Sequence, residues 1–317
     1  MKRIAAIVAL IGLVVGSLIV FPEHLHWMIV GWAVLALVAL QRSKRMWPWL
    51  LGCVLIVAVK QPGYTLAFWI FAAVFVAAAL VDWRKQRLGS QKIGSTQIAI
   101  WAVALLSVAA VYGAVRWFAA NTSQHPVLDS RPIACLGDSL TDYGYPQDLQ
   151  ELISVPVEDF GVNGIKTAEG IAMIPDILSK NPQLVVIELG GHDHNADNSP
   201  RAATKKNLEF LIESFLDQQI AVILVEIPRG FISDPYHGLE RELAAKYDLQ
   251  LIDDSLIRSF VFNSKFLPPG IWLDPSWRYS DDGLHPNDLG NKLFANTVRQ
   301  ALVRVYGDSI LKAGSRR

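Results

Sequence analysis

The chain changes its hydrophobic rhythm near residue 120. Before that point long apolar runs are broken only by short polar stretches. Five of these runs, roughly 4–22, 25–41, 47–64, 65–82 and 97–117, are candidate membrane spans, since a helix that crosses a bilayer takes about 20 mostly apolar residues. The third has the shortest clean core, "WLLGCVLIVAV", and its Lys60 has to reach toward the interface. After residue 130 the runs shorten. "PIACL" (132–136), "VPVEDF" (155–160), "QLVVIEL" (183–189), "IAVILVEI" (220–227) and "LQLID" (249–253) read as strands, and helix-period patterns follow at 167–179, 201–218, 237–247 and 287–305. Strands alternating with helices predict a parallel sheet covered on both faces, an α/β domain. In such a sheet the ligand site lies beyond the carboxyl ends of the strands. The predicted organisation is a membrane region over 1–120, a polar tether "NTSQHPVLDS" over 121–130, and an α/β domain over 131–317.

Charge divides the chain at the same place. The whole sequence balances 29 Lys+Arg against 29 Asp+Glu, but residues 1–120 hold 11 basic and 2 acidic residues, so the first part is +9 and the remainder −9. Eight of the ten tryptophans lie in the first part; Trp27, Trp47, Trp49, Trp83 and Trp117 fall near span ends, where interfacial aromatic residues sit. Lys and Arg cluster at the N-terminus and in "QRSKRM" and "RKQRLGSQK", whereas "PEHLH" has none and "KQPG" one. The positive-inside rule then puts the N-terminus and the two basic loops in the cytoplasm. An odd number of spans carries everything after Trp117 to the other side of the cell inner membrane. "SLIVFPEH" lacks a small-x-small cleavage pattern, so the first run is read as a retained span rather than a signal peptide. Cys53 and Cys135 lie in different parts and are not expected to pair.

Gly-Asp-Ser occurs twice, in "CLGDSLTDYG" with Ser139 and in "VYGDSILKAG" with Ser309. Ser139 follows a predicted strand and faces the ligand end of the sheet; Ser309 follows the last helix with no strand before it, so the second copy is read as coincidence. A serine hydroxyl needs a base to become a nucleophile, most often a histidine held by a carboxylate. Of His125, His192, His194, His237 and His285, only His285 has a carboxylate at a telling spacing in a turn: "SDDGLHPN" sets Asp282 three residues before it, with Gly283 between. Alone, the same turn could simply cap the last helix, with Asn287 or Asp288 as the capping residue. Asp138 and Asp193 are expected to fix loops by accepting backbone N–H groups, Glu188 to be a paired buried carboxylate, and Trp272 and Trp277 to line an acyl pocket or cover the core.

Together, "GDSL" after the first strand and "DGLHPN" before the last helix resemble the SGNH (GDSL) hydrolase family over about 131–305, with the nearest likeness to its small bacterial thioesterase/lysophospholipase and arylesterase branch. The resemblance implies a five-stranded, flavodoxin-like α/β/α sandwich and hydrolysis of an ester or thioester without a cofactor or metal. It implies Ser139 as nucleophile, His285 as base and Asp282 as its orienting partner. It further implies an oxyanion hole made by the Ser139 N–H, a glycine N–H from "FGVNGIKT" (Gly164, with Gly161 as runner-up) and an asparagine side chain. This chain reads "ELGGHDHN" where that asparagine is expected, so His192 takes its position. His192 could donate from its imidazole, could be idle while two backbone donors suffice, or could open a metal site with Asp193 and His194; Asn195 could instead act after a shift of register. The expected partners are a small-molecule or lipid ester and the membrane, with no nucleic-acid pattern, phosphate loop or repeat. A membrane-anchored acylhydrolase acting on acylated lipids or envelope molecules is the reading; a transacylase that moves acyl groups to a sugar hydroxyl and a degenerate binding domain are its rivals.

Overall fold

The computed structural model describes residues 121–229, 234–236, 238–266, 270–271 and 273–312, which belong to one compact unit, Phe118–Arg317. The five candidate spans lie outside the described residues, as do His237 and Trp272. Among the described residues no helix is long and apolar enough to cross a membrane.

Five strands form the sheet: β1 (Ile133–Gly137), β2 (Val157–Gly161), β3 (Leu184–Glu188), β4 (Ala221–Val225) and β5 (Gln250–Ile252). All pairs are parallel, in the order β2-β1-β3-β4-β5. Successive side chains of a strand point to opposite faces, and the burial follows that rule. Ile133, Cys135, Leu184, Val186, Ile223 and Val225 enter one core, whereas Ala134, Leu136, Val185, Ile187, Val222 and Leu224 enter the other. Both faces are buried, which explains why these strands read as continuous apolar runs rather than as alternating ones.

The helices are α1 (Ser139–Asp142), α2 (Tyr145–Leu152), α3 (Thr167–Ala172), α4 (Ile174–Ser179), α5 (Gly191–Asn195), α6 (Arg201–Leu216), α7 (Leu239–Tyr247), α8 (Ser255–Phe262) and α9 (Asp288–Tyr306). The helix predicted over 167–179 is two short ones, because Pro175 lies in the first turn of α4 and opens a new helix there. α9 starts where its sequence dictates: the Asn287 side chain accepts from the N–H groups of Leu289 and Gly290, both at 3.1 Å. It carries Phe294, Val298, Ala301, Leu302 and Val305 into the first core.

The polar segment expected to be a tether is instead knitted onto the domain. Thr122 Oγ1 donates to the Asp248 carbonyl at 2.6 Å and the Ser123 N–H to the Asp248 carboxylate at 2.9 Å. The Asp129 N–H donates to Gln183 Oε1 at 3.1 Å. Asp248 and Gln183 precede β5 and β3, so the segment runs under the amino ends of the strands. The carboxyl ends are left to the site. The strand order reverses between β1 and β3, and the crevice at such a switch point is where α/β sheets take ligands.

Candidate active site

β1 runs straight into Asp138 and Ser139. The Asp138 carboxylate turns the chain by accepting the Leu140 N–H at 3.0 Å, which makes it the cap of α1 and lifts Ser139 to the carboxyl edge of the sheet. Gly137 is required there, since a Cβ would lie 1.9 Å from Thr141 Oγ1. Ser139 is buried. As the first residue of α1, its N–H has no intrahelical acceptor and is unpaired among the described residues.

The turn before α9 brings the other two groups. Asp282 Oδ1 accepts from the N–H groups of Leu284 at 2.9 Å and His285 at 2.8 Å and from Ser280 Oγ at 3.1 Å. These bonds fix the carboxylate plane and leave Oδ2 for the ring: His285 Nδ1 lies 2.7 Å from it. Gly283 takes φ +82, a left-handed conformation that favours glycine and folds Asp282 and His285 back on one another. His285 Nε2 then lies 3.0 Å from Ser139 Oγ. With Nδ1–H donated to Asp282, Nε2 presents its lone pair to the serine hydroxyl. Burial opposes ionisation of Asp282, but the hydrogen bonds from the His285 ring and the two backbone N–H groups outweigh it and hold the carboxyl well below the usual carboxylate range. The Tyr143 ring stacks on His285 with centroids 4.5 Å apart and planes 13° apart.

Two further loops leave the sheet at the same carboxyl edge, after the strands on either side of β1. After β2, the Gly161 N–H is taken by Asp159 Oδ1 at 2.9 Å, whereas the N–H of Gly164, at φ +78, is unpaired among the described residues. After β3, His192 sits in α5, half-buried. No hydrogen bond from its ring is formed among the described residues, and it is near enough to Asp138 to favour that carboxylate electrostatically. Asp193 joins the two loops: its carboxylate accepts the Thr167 N–H at 2.9 Å, Thr167 Oγ1 at 2.5 Å and Thr204 Oγ1 at 3.2 Å. Arg229 braces the turn from behind, donating from Nε to the Gly190 carbonyl at 3.1 Å and pairing with buried Glu240 at 2.5 Å.

Beneath the serine, Glu188 is fully buried and accepts from Thr141 Oγ1 at 3.0 Å. Burial first, and then the neighbouring Asp138 carboxylate, push its proton affinity well above the usual glutamate range. Its Oε2 also accepts the Asp138 N–H at 3.3 Å, and its Oε1 has no hydrogen-bond partner among the described residues.

The structure thus brings Ser139, His285 and Asp282 into one hydrogen-bonded chain and places Gly164 and His192 on the two loops beside it. Ser309 lies elsewhere, in a 3-10 turn (Gly307–Ile310) after α9, where its hydroxyl donates to the Tyr306 carbonyl at 2.9 Å. Among the described residues no three His, Cys, Asp or Glu side chains gather as a metal site. His194 packs its ring edge on Tyr236 instead. Trp277 is exposed and covers no core. The Tyr143 stack escaped sequence reading, since nothing in "LTDYG" marks that ring as a neighbour of a histidine 142 residues later.

A serine, an imidazole and a carboxylate linked in this order at the carboxyl edge of a parallel sheet form the arrangement that serves acyl transfer in serine hydrolases. The chain belongs to the GDSL-like lipase/acylhydrolase family, whose model matches residues 135–293. It is 25% identical over 227 residues to an acetylxylan esterase of Xylanibacter ruminicola, a match that covers 56% of this chain and 44% of that one. The chain therefore spans less than half the length of this curated relative. Among solved structures it is similar to a GDSL-like lipase from Bacteroides thetaiotaomicron (19% identity, 56% of this chain and 90% of that one, TM-score 0.44). It is also similar to the psychrotrophic esterase EstA from Pseudoalteromonas (17% identity, 54% and 96%, TM-score 0.45).

Proposed function

We propose that the domain hydrolyses carboxylic esters, with Ser139 as nucleophile, His285 as general base and acid, and Asp282 as the group that orients and charges-balances the imidazole. The observation that carries this reading is the unbroken chain from Asp282 Oδ2 through His285 to Ser139 Oγ, at 2.7 and 3.0 Å. Ser139 Oγ attacks the acyl carbon while its proton passes to His285 Nε2, and an oxyanion develops on the former carbonyl. The unpaired N–H groups of Ser139 and Gly164 and the His192 ring are the donors assigned to it, acting where charge grows in the transition state. His285 then gives its proton to the departing alkoxide, leaving an acyl-Ser139. A water, deprotonated by His285, attacks the acyl carbon and releases the carboxylic acid and the free serine.

The name of the Xylanibacter relative supports a short acyl group, acetyl above all, on a carbohydrate hydroxyl as the first substrate to try. Esters of envelope lipids are the second. The apolar spans and loop charges support anchorage in the cell inner membrane with the domain on its non-cytoplasmic side. A fluorophosphonate probe on the full-length chain tests the nucleophile: labelling should map to Ser139 and vanish in Ser139→Ala. Recovery of the label on Ser309, or undiminished labelling of the variant, sinks the assignment. Release of acetate from acetylated xylan, compared with hydrolysis of p-nitrophenyl acetate and p-nitrophenyl palmitate, tests the substrate. A reporter active only outside the cytoplasm, fused after Arg317, tests the placement; silence there, with activity after Lys92, inverts it.

A further inference from the structure

Given the base assigned above, on which this inference rests, we propose that Tyr143 is a positioning residue for His285: its ring clamps the imidazole in line with Ser139 and stabilises the imidazolium formed when the serine proton is taken. The two rings are nearly parallel, 13° apart, with centroids at 4.5 Å. Tyr143 is about half exposed and belongs to neither core. Its ring therefore gains little by burial, and its main partner is the histidine.

Its backbone is held more tightly than an exposed loop residue requires. The Tyr143 N–H donates to the Ser139 carbonyl at 3.0 Å, and its own carbonyl accepts from Asn291 Nδ2 at 2.7 Å. Gly144 follows at φ +119 and turns the chain away. Asn291 sits one turn into α9, the helix capped by Asn287 just after His285. One helix thus sets the positions of both stacked rings, and the nucleophile's own carbonyl supports the tyrosine.

The stack acts differently from the other contacts of His285. Both ring nitrogens are engaged in the plane of the imidazole, by Asp282 and by Ser139. When Ser139 Oγ bonds to the acyl carbon, the second of these bonds is lost or handed to the leaving group. The face contact persists through that step. An aromatic face also attracts a cation more than a neutral ring, so the stack favours the charged imidazole of the transition state over the neutral one of the resting site.

The experiment compares Tyr143→Phe, Tyr143→Leu and Tyr143→Ala in the full-length chain, with p-nitrophenyl acetate as substrate and a fluorophosphonate as a substrate-independent probe. Tyr143→Ala should lower kcat roughly 3- to 30-fold, slow serine labelling by a similar factor and leave KM within about twofold, as for an interaction that strengthens in the transition state. Tyr143→Phe keeps the π face and should stay close to wild type. Tyr143→Leu covers the imidazole without a π face and should behave like alanine. All three should match wild type in thermal midpoint. Rescue by leucine would reduce the ring to a cover, and an effect confined to KM would make it a wall of the substrate site; either result overturns the proposal, as does an unchanged kcat in Tyr143→Ala. A wild-type chain that does not react with the probe refutes the nucleophile and base assignment itself, and this role with it.

Discussion

Replacing Asp282 with asparagine should be more damaging than removing its side chain altogether. Asp282 Oδ1 accepts two backbone N–H groups, at 2.9 and 2.8 Å, while Oδ2 receives the His285 ring at 2.7 Å. An asparagine in this place cannot choose its orientation freely. Its carbonyl oxygen has to face the two backbone donors, because an NH2 group there would oppose them. The NH2 group is then aimed at His285 Nδ1 and demands an acceptor. The imidazole must put its proton on Nε2, where it faces Ser139 Oγ, and no lone pair is left to take the serine proton. The wrong tautomer with the geometry intact costs about 10⁴ in kcat in a triad of this kind, equivalent to about 5.4 kcal/mol of transition-state stabilisation. Asp282→Ala leaves the imidazole free to sample both tautomers and admits water beside Nδ1, so it should retain several-fold more activity than the asparagine variant. The turn is exposed on the Asp282 side, so both variants should fold, which a thermal melt checks. The assay is kcat for p-nitrophenyl acetate at fixed pH. Asparagine outperforming alanine, or keeping more than about a tenth of wild-type kcat where a loss near 10⁴ is expected, would refute the tautomer argument.

Three other expectations concern the groups around the serine. His192→Ala should lower kcat by roughly 10²- to 10³-fold with little change in KM, as expected for an oxyanion donor, and His192→Asn should recover part of that loss; full kcat in alanine would leave the backbone donors sufficient. Glu188 binds its proton more tightly in the folded protein than a free glutamate does, an affinity raised first by burial and then by Asp138. Its contribution to stability is therefore complete below the ordinary glutamate value of 4.5 and is lost as pH rises from there toward the raised folded value. Glu188→Gln removes this dependence, so its unfolding free energy relative to wild type should climb as pH rises above 4.5, at up to about 1.4 kcal/mol per pH unit; a constant or falling difference in denaturant titrations would refute the raised proton affinity. Asp193→Ala should cost both stability and kcat by parting the Gly164 and His192 loops, and in a His192→Ala background the loss in kcat should shrink, which a double-mutant cycle reads directly.

What the sequence disclosed was local. A strand ending in Gly-Asp-Ser and an Asp-x-x-His turn before a helix are complete within a few residues, and both elements stand where their patterns put them. The helix α8 is only eight residues long, Ser255–Phe262, shorter than the stretch over which a helical period stands out from a short apolar run. The contacts that organise the site join residues far apart in the chain. Asp193 reaches back 26 positions to Thr167, and Tyr143 forward 142 positions to His285. Side-chain type restricts such partners, but only the crossing of the strands brings them together. The contact that distinguishes Gly161 from Gly164 is local by contrast: Asp159, two residues earlier, accepts the Gly161 N–H, whereas the Gly164 N–H is unpaired among the described residues.

The docking of residues 122–131 beneath the sheet gives the domain a built-in handle. Thr122 and Ser123 grip Asp248, and Asp129 grips Gln183, at the amino ends of the strands. A strand of five residues is about 17 Å long, so the handle and the serine occupy opposite poles. A leash of the same length would let the catalytic mouth swivel and sweep a volume around its point of attachment. Here these residues are spent on hydrogen bonds to the domain itself, at the pole opposite the serine. A bulky label on Thr122 or Ser123 would sit at that far pole, while the same label near Tyr143 or Leu284 would stand in the doorway.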